Sequence, residues 1–269
     1  FGLGSKTGID LPEDVKGRVG GRIFKRDFWD KNHEVWCDRA ENGYPDVFAK
    51  DPDRAKMLQK FAKENCTEGL RFRAGDAVNI SIGQGDTVVS PLQMAMAYAA
   101  IANGGTIWQM MVAKAIVKTD GTVVKTFTPL KLGTVKTAPS VLSFLRGSLR
   151  EVVVSGTGAG VFAGFPVEIS GKTGTGQVFG RNPNGSLKDD TSWFASYAPS
   201  KKPRFAVVMM VGQGGFGAST SGVGVKQIYE AIFGVKGNKV VPGAAIYPNG
   251  KPPTDLPKIS PATKPKEAP

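Results

Sequence analysis

Apolar positions are sparse in the first quarter of the chain and dense after it. Residues 1–12, "FGLGSKTGIDLP", suggest a helix end followed by a turn. Residues 13–75 are polar, charged and irregular in pattern, with one clear helix. There Asp51 is placed to cap, Pro52 fits the first turn, and "DRAKMLQKFAKEN" sets Met57, Leu58 and Phe61 on one side. "NISIGQGD" at 79–86 predicts a strand or a glycine-bearing loop. Next, Ser90 caps and Pro91 opens a helix through "LQMAMAYAAIAN", apolar almost all round and therefore a core element, stopped by Gly104 and Gly105. "VAKAIVKTDGTVVKTF" predicts a β-hairpin turning at Asp120-Gly121. "PSVLSFLRGSLREVVV" is amphipathic through Val141, Leu145, Leu149 and Val152 and ends at Gly156. Three strands follow, "FPVEISGKT", "TSWFASYA" and "RFAVVMMVG", the last two joined by "PSKKP" as an antiparallel pair. The third is apolar on both faces, which predicts a central place in a sheet covered on both sides. "GVGVKQIYEAIF" then forms a helix that turns Val225, Ile228, Tyr229 and Ile232 to the sheet. From Val241 onward the Pro- and Lys-rich composition predicts an extended, mostly disordered tail over 241–269. There is no internal repeat.

Composition narrows the class. A chain of 269 residues, 41% hydrophobic, can bury the core of one large domain. It contains no run of about 18 apolar residues, so this segment does not span a membrane. It carries no signal peptide, and because it starts at Phe1, an anchor or export signal is expected upstream. The net charge of +12 favours anionic partners. Lys and Arg are dispersed, however, without a basic block or interleaved aromatics, which indicates a solvated basic surface rather than a nucleic-acid site. Cys37 and Cys66 are either free thiols or a disulfide closing a loop of about 30 residues, worth about 3 kcal/mol. Metal ligation by His33, Cys37 and Cys66 is the weaker alternative, since two cysteines and one histidine make a thin zinc site. His33 is the only histidine. Nothing around it resembles a nucleophile elbow, so an acyl-transfer enzyme built here would take its base from lysine.

The chemistry concentrates at "GKTGTGQVFG", residues 171–180. A P-loop would need glycine at 166, where Pro166 stands, and a following helix, where the strand continues. "SGTGAG" at 155–160 follows a helix and lacks dinucleotide-loop spacing. An acyl-transfer reading suits the residues better. Lys172 on a strand edge places a cation where a substrate carboxylate or a serine proton is managed. Thr173 and Thr175 offer hydroxyls to that carboxylate. Gly174 leaves room for a peptide lying antiparallel to the strand, and the Thr175 amide can donate into an oxyanion hole.

These residues and their flanks resemble the class B penicillin-binding transpeptidases. "GKTGTGQVFG" followed by "TSWFASYAPSKKPRFAVVMMV" is similar to their third active-site motif and the strands after it. "TGIDLP" at 7–12, "SIGQGDTVVSPLQMAMAYAAIANGG" at 81–105 and "SGTGAG" are similar to segments around that motif. The "GTGQVFG" form is closest to the elongation-type, penicillin-binding protein 2 branch. The resemblance runs from about Phe1 to Phe233 and is loose over 13–75. It implies an α/β (α+β) fold, a mostly antiparallel sheet flanked by helices, incomplete in this chain. It divides the chain into 1–240, the C-terminal portion of a transpeptidase domain with a polar insertion at 13–75, and the tail. It assigns Lys172 and Thr175 to catalysis and Thr173, Gly174 and Thr175 to substrate binding. Lys6 to Gly8, the other "KTG", belongs to the "TGIDLP" turn and is structural. Trp193 and Phe194 pack in the core, and Gln84 is a turn residue. The family's other two motifs, Ser-x-x-Lys and Ser-x-Asn, do not occur in the chain.

The resemblance therefore implies a D,D-transpeptidase cross-linking peptidoglycan stem peptides that end in D-Ala-D-Ala. It would be trapped by β-lactams, would act on the extracytoplasmic face of a bacterial membrane, and would need no metal or organic cofactor. The chain alone is expected to be inactive and to require the missing N-terminal half of its own domain. A membrane glycan polymerase is an expected partner, and nucleic acid is not. Two rival readings are a β-lactam sensor or other non-catalytic penicillin-recognising module, and a surface protein binding polyanions.

Overall fold

The polar first quarter folds mainly as helices. In a computed structural model, which describes residues 1–247, α1 spans Arg22–Asn42, α2 Pro45–Phe48, α3 Pro52–Glu68 and α4 Ala74–Ser81. The 21-residue α1 corrects the irregular reading of this stretch. Among its charges lie aromatics that contact one another: Phe24 stacks on Phe28, and Phe28 meets Trp36 edge-on. Such a helix shows little amphipathic signal and is held by packing on α3. Trp29 donates from Nε1 to the Asn65 carbonyl at 2.9 Å, and a Cys37–Cys66 disulfide joins the two helices. Both sulfurs are thereby consumed, which removes the metal alternative built on them. Asp51 caps α3 as expected, accepting from the Arg54 amide at 2.9 Å. The packed face differs from the predicted one. Ala55 and Ala62 are buried while Phe61 is exposed, because small side chains let α1 approach closely.

Residues 1–12 contain turns and no helix. They are pinned by carboxylates and by two glutamines, Gln93 Nε2 donating to the Ser5 carbonyl and Gln109 Nε2 to the Gly8 carbonyl. Asp14 accepts from the Thr7 and Gly8 amides, and Asp10 accepts from the amides of Val112 and Ala113 at 2.7 and 2.8 Å, which lowers the Asp10 pKa. The first "KTG" is thus absorbed into backbone support. The strand or loop expected at 79–86 is the end of α4 followed by a turn in which Gly83 and Gly85 adopt φ of +77° and +91°. Those values favour glycine on both sides of Gln84.

After that turn α5 spans Pro91–Ala102, started by a capping box between Ser90 and Gln93. Two small antiparallel pairs follow. β1 (Thr106–Trp108) pairs with β4 (Lys131–Thr134), and between them lies the expected hairpin of β2 (Ala115–Val117) and β3 (Val123–Thr126). Then come α6 (Pro139–Val154), α7 (Ala159–Phe162), β5 (Ser170–Gly176), β6 (Thr191–Ala198) and β7 (Phe205–Val211). A π-helical turn, Ala218–Gly222, leads into α8 (Val223–Phe233), and the short pair β8 (Val235–Lys236) and β9 (Lys239–Val240) closes the described fold.

The sheet is antiparallel with order β5-β6-β7. The main core lies between it and α6, α7 and α8. Phe194 and Ala198 of β6 meet Val153, Phe162, Ile169, Val225, Tyr229, Ile232 and Phe233. Buried Ser196 on the same face is satisfied by the Tyr229 hydroxyl at 3.0 Å. Four expectations are corrected. β5 starts at Ser170, after a turn, rather than at Phe165. β6 is the central strand and β7 is an edge among the described residues, its two-sided apolar pattern answering to helices packed over it rather than to a second strand. Val141 and Ile228 are exposed, and Leu142 and Phe233 take the buried positions. The tail begins packed, with Tyr247 stacked on Phe205 at 5.5 Å and the Ile246 amide bonded to the Ala231 carbonyl. The rest of the expected tail, 248–269, lies outside the described residues. Among those described, no helix is long and apolar enough to cross a membrane.

Candidate active site on the outer edge of β5

All four residues singled out by sequence lie consecutively on β5. In a strand, the N–H and C=O of one residue point to the same side, and alternate residues point to opposite sides. The hydrogen bonds settle which side is which. The Ile169 carbonyl accepts from Arg150 Nη1 at 3.0 Å, the Thr173 carbonyl from Lys172 Nζ at 2.9 Å, and the Thr175 carbonyl from Gln84 Nε2 at 2.9 Å. Three odd-numbered carbonyls are thus served by side chains rather than by a neighbouring strand. Gly174 and its even-numbered neighbours therefore pair with β6, and the backbone of Thr173 and Thr175 faces the open edge. No strand covers that edge among the described residues.

Gly174 is favoured by packing, since a Cβ there would stand 3.1 Å from the Trp193 Cβ, a tight contact. Gly217 is required more strictly, since a Cβ on it would lie 2.5 Å from both the Gly174 and the Trp193 carbonyl oxygens. The loop after β7 thus lies directly on the paired backbones of β5 and β6. Buried Ser192 locks it there, donating to the Phe216 carbonyl and accepting from the Ser221 amide, both at 3.1 Å. Phe194 is fully buried in the core, as its pattern suggests, whereas Trp193 is half-buried.

Charge and hydroxyls gather at the strand's outer edge. Lys172 is exposed, and its Nζ also donates to Thr173 Oγ1 at 3.2 Å. Thr173 Oγ1 is 2.8 Å from Thr157 Oγ1, so the "SGTGAG" turn between α6 and α7 delivers a second hydroxyl. Chemically this is an ammonium group, two linked hydroxyls and a free strand edge carrying the Thr175 amide. It can pair an extended peptide, receive a carboxylate and donate to a developing oxyanion.

Two contributors escape the sequence pattern. Thr157 lies in a stretch noticed for its resemblance, without any signal that it reaches Thr173. Gln84 has the pattern of a turn residue, yet its amide crosses 91 positions of sequence to Thr175. The flanking glycines hint that the turn is fixed, but nothing local says where its side chain points.

Residues 1–234 match the family described as penicillin binding protein transpeptidase domain. Peptidoglycan D,D-transpeptidase MrdA of Haemophilus influenzae is 31% identical over 214 residues, 72% of this chain and 32% of that protein. Among solved structures, Pseudomonas aeruginosa PBP2 in complex with WCK 5153 superposes with a TM-score of 0.61 at 24% identity, over 91% of this chain and 44% of that one. A chain from work on polymerization and crosslinking by a peptidoglycan synthase complex gives 0.59 at 25% identity, over 89% and 32%. The chain spans about a third of the length of the curated relatives it matches.

Proposed function

Because the chain belongs to the penicillin-binding protein transpeptidase family, we infer that it supplies the substrate-edge half of a peptidoglycan D,D-transpeptidase site. In this reading a stem peptide ending in D-Ala-D-Ala lies antiparallel along the outer edge of β5. Its terminal carboxylate meets Lys172 and the hydroxyls of Thr173 and Thr175, and the carbonyl under attack takes the Thr175 N–H. The attacking serine and its lysine belong to the Ser-x-x-Lys motif, which this sequence does not contain and which must come from the remainder of the catalytic domain. Attack forms the acyl-enzyme and expels D-Ala, and the amine of a second stem then takes the acyl group. A β-lactam follows the first half of that course: its ring opens, no group leaves, and the adduct persists. No step uses a metal or organic cofactor.

The single observation that carries this reading is the open edge of β5, presenting Thr173 and Thr175 outward beside an exposed lysine. The Cys37–Cys66 disulfide supports an extracytoplasmic location, since such bonds persist in oxidising compartments. The similarity to a chain from a peptidoglycan synthase complex supports a glycan polymerase as partner. The test is acylation of the full-length protein by a fluorescent penicillin. A one-to-one adduct on the Ser-x-x-Lys serine is expected. Lys172→Ala should slow its formation roughly 100-fold, the order for one lost electrostatic contact to the reacting group, with the fold intact because Lys172 is exposed. Labelling that ignores Lys172→Ala, or no labelling at all, overturns the reading.

A further inference from the structure

The α4–α5 turn bears on the candidate site in a way that its sequence does not announce. We propose that Gln84 is a positioning residue of this transpeptidase site, holding the Thr175–Gly176 peptide so that the Thr175 N–H stays aimed into the cleft. The inference rests on the function argued above and adds a residue to it.

The Gln84 side chain is delivered by a turn fixed at several points. The Gln84 amide donates to the Asn79 carbonyl at 2.8 Å, closing the turn onto the end of α4. Beyond it, Arg18 Nε donates to the Asp86 carbonyl at 2.7 Å, the Gly20 amide to Thr87 Oγ1 at 3.0 Å, and Arg18 and Val88 exchange a pair of backbone bonds. Gly83 and Gly85 supply the positive φ that brings the backbone sharply round Gln84. From this base Nε2 reaches the Thr175 carbonyl.

That carbonyl sits one residue before the end of β5, where pairing with β6 stops at Gly176. Strand ends fray, and an unpaired edge carbonyl has only solvent to orient it. An anchored amide donor replaces solvent with a fixed partner. It restrains the peptide plane just after Thr175, and through it the torsions that aim the Thr175 N–H. A carbonyl oxygen has two lone pairs, so the anchor leaves one for an amide of a bound peptide. Preorganisation of this kind acts on the transition state more than on ground-state binding.

The experiment uses the full-length protein and fluorescent penicillin over a concentration range, separating the binding constant from the saturating acylation rate. Gln84→Met keeps the volume and removes the donor. Its saturating rate should fall about tenfold, the scale of one lost neutral hydrogen bond, with the binding constant and melting temperature unchanged. Gln84→Lys restores an N–H donor of similar reach and should recover most of the rate. A rate for Gln84→Met equal to wild type overturns the proposal. So does an equal loss in both variants, which would mark the residue as a packing element only. Amide hydrogen exchange decides the point independently of catalysis. Gln84→Met should speed exchange at Gly174 and Gly176, and unchanged exchange there overturns the proposal even if the wild type takes up no penicillin. In that last case the transpeptidase reading falls by itself.

Discussion

Gln93 shows how one side chain can hold distant segments together. It sits inside the apolar run of α5 and is fully buried. Its Nε2 donates to the Ser5 and Lys16 carbonyls, each at 2.8 Å, and its Oε1 accepts from the Ser90 amide at 3.0 Å. A methionine there would keep the volume and remove the partner of three backbone groups, all in part-buried hydrogen bonds. Gln93→Met is therefore expected to lose about 2–4 kcal/mol, read as a lower midpoint in urea. A loss no larger than that of a solvent-facing substitution on α5 would show that water replaces the amide. Sequence pattern placed this residue in a core helix but gave no sign of its partners, because Ser5 and Lys16 are 88 and 77 positions away.

Among elements, the helical pair and the loop on β5 owe their placement to different forces. α1 and α3 bury few large side chains against each other, and Ala40, Ala55 and Ala62 are the buried residues they contribute. With so little apolar burial, the disulfide carries a large share of the pair's stability. Its cysteines are 29 positions apart, and closing a loop of that size in the unfolded chain is worth about 3–4 kcal/mol. Replacing both cysteines by serine should raise amide exchange across α1 and α3 while leaving β5–β7 protected. Uniform loss of protection would show that the helices and the sheet unfold as one unit. The loop on β5 depends on steric fit instead. Gly217 has φ of −57°, so alanine there meets no backbone strain but would press on the Gly174 and Trp193 carbonyl oxygens and the Gly174 nitrogen beneath it. Gly217→Ala should cost about 1–3 kcal/mol, as overpacking does, and should loosen the Gly174–Trp193 pair. A crystal structure of the variant with that pair unmoved would refute the steric account.

For the molecule as a whole, chemistry and scaffold are separable. In the proposed function the chain supplies a substrate edge, a lysine and an oxyanion donor, while no serine in it is followed three places later by lysine. The 269-residue chain by itself should therefore show no mass increase after incubation with a penicillin, under conditions in which the full-length protein acylates. A stoichiometric adduct on the chain would mean that a serine outside the family motif had been activated.

Much of this was legible in one dimension. Capping residues and prolines marked α3 and α5, Asp120-Gly121 marked the hairpin, and the Lys-Thr-Gly run with its flanks pointed to β5 and to the site proposed on it. These signals are local, arising from a few neighbouring residues whose torsions and hydrogen bonds depend on one another. Tertiary structure alone decided which face of α3 packs, that β7 is an edge among the described strands, and that Gln84 and Thr157 meet β5. Those outcomes rest on contacts between residues far apart in sequence, where a small side chain, a free carbonyl or an open edge matters only once another element stands beside it.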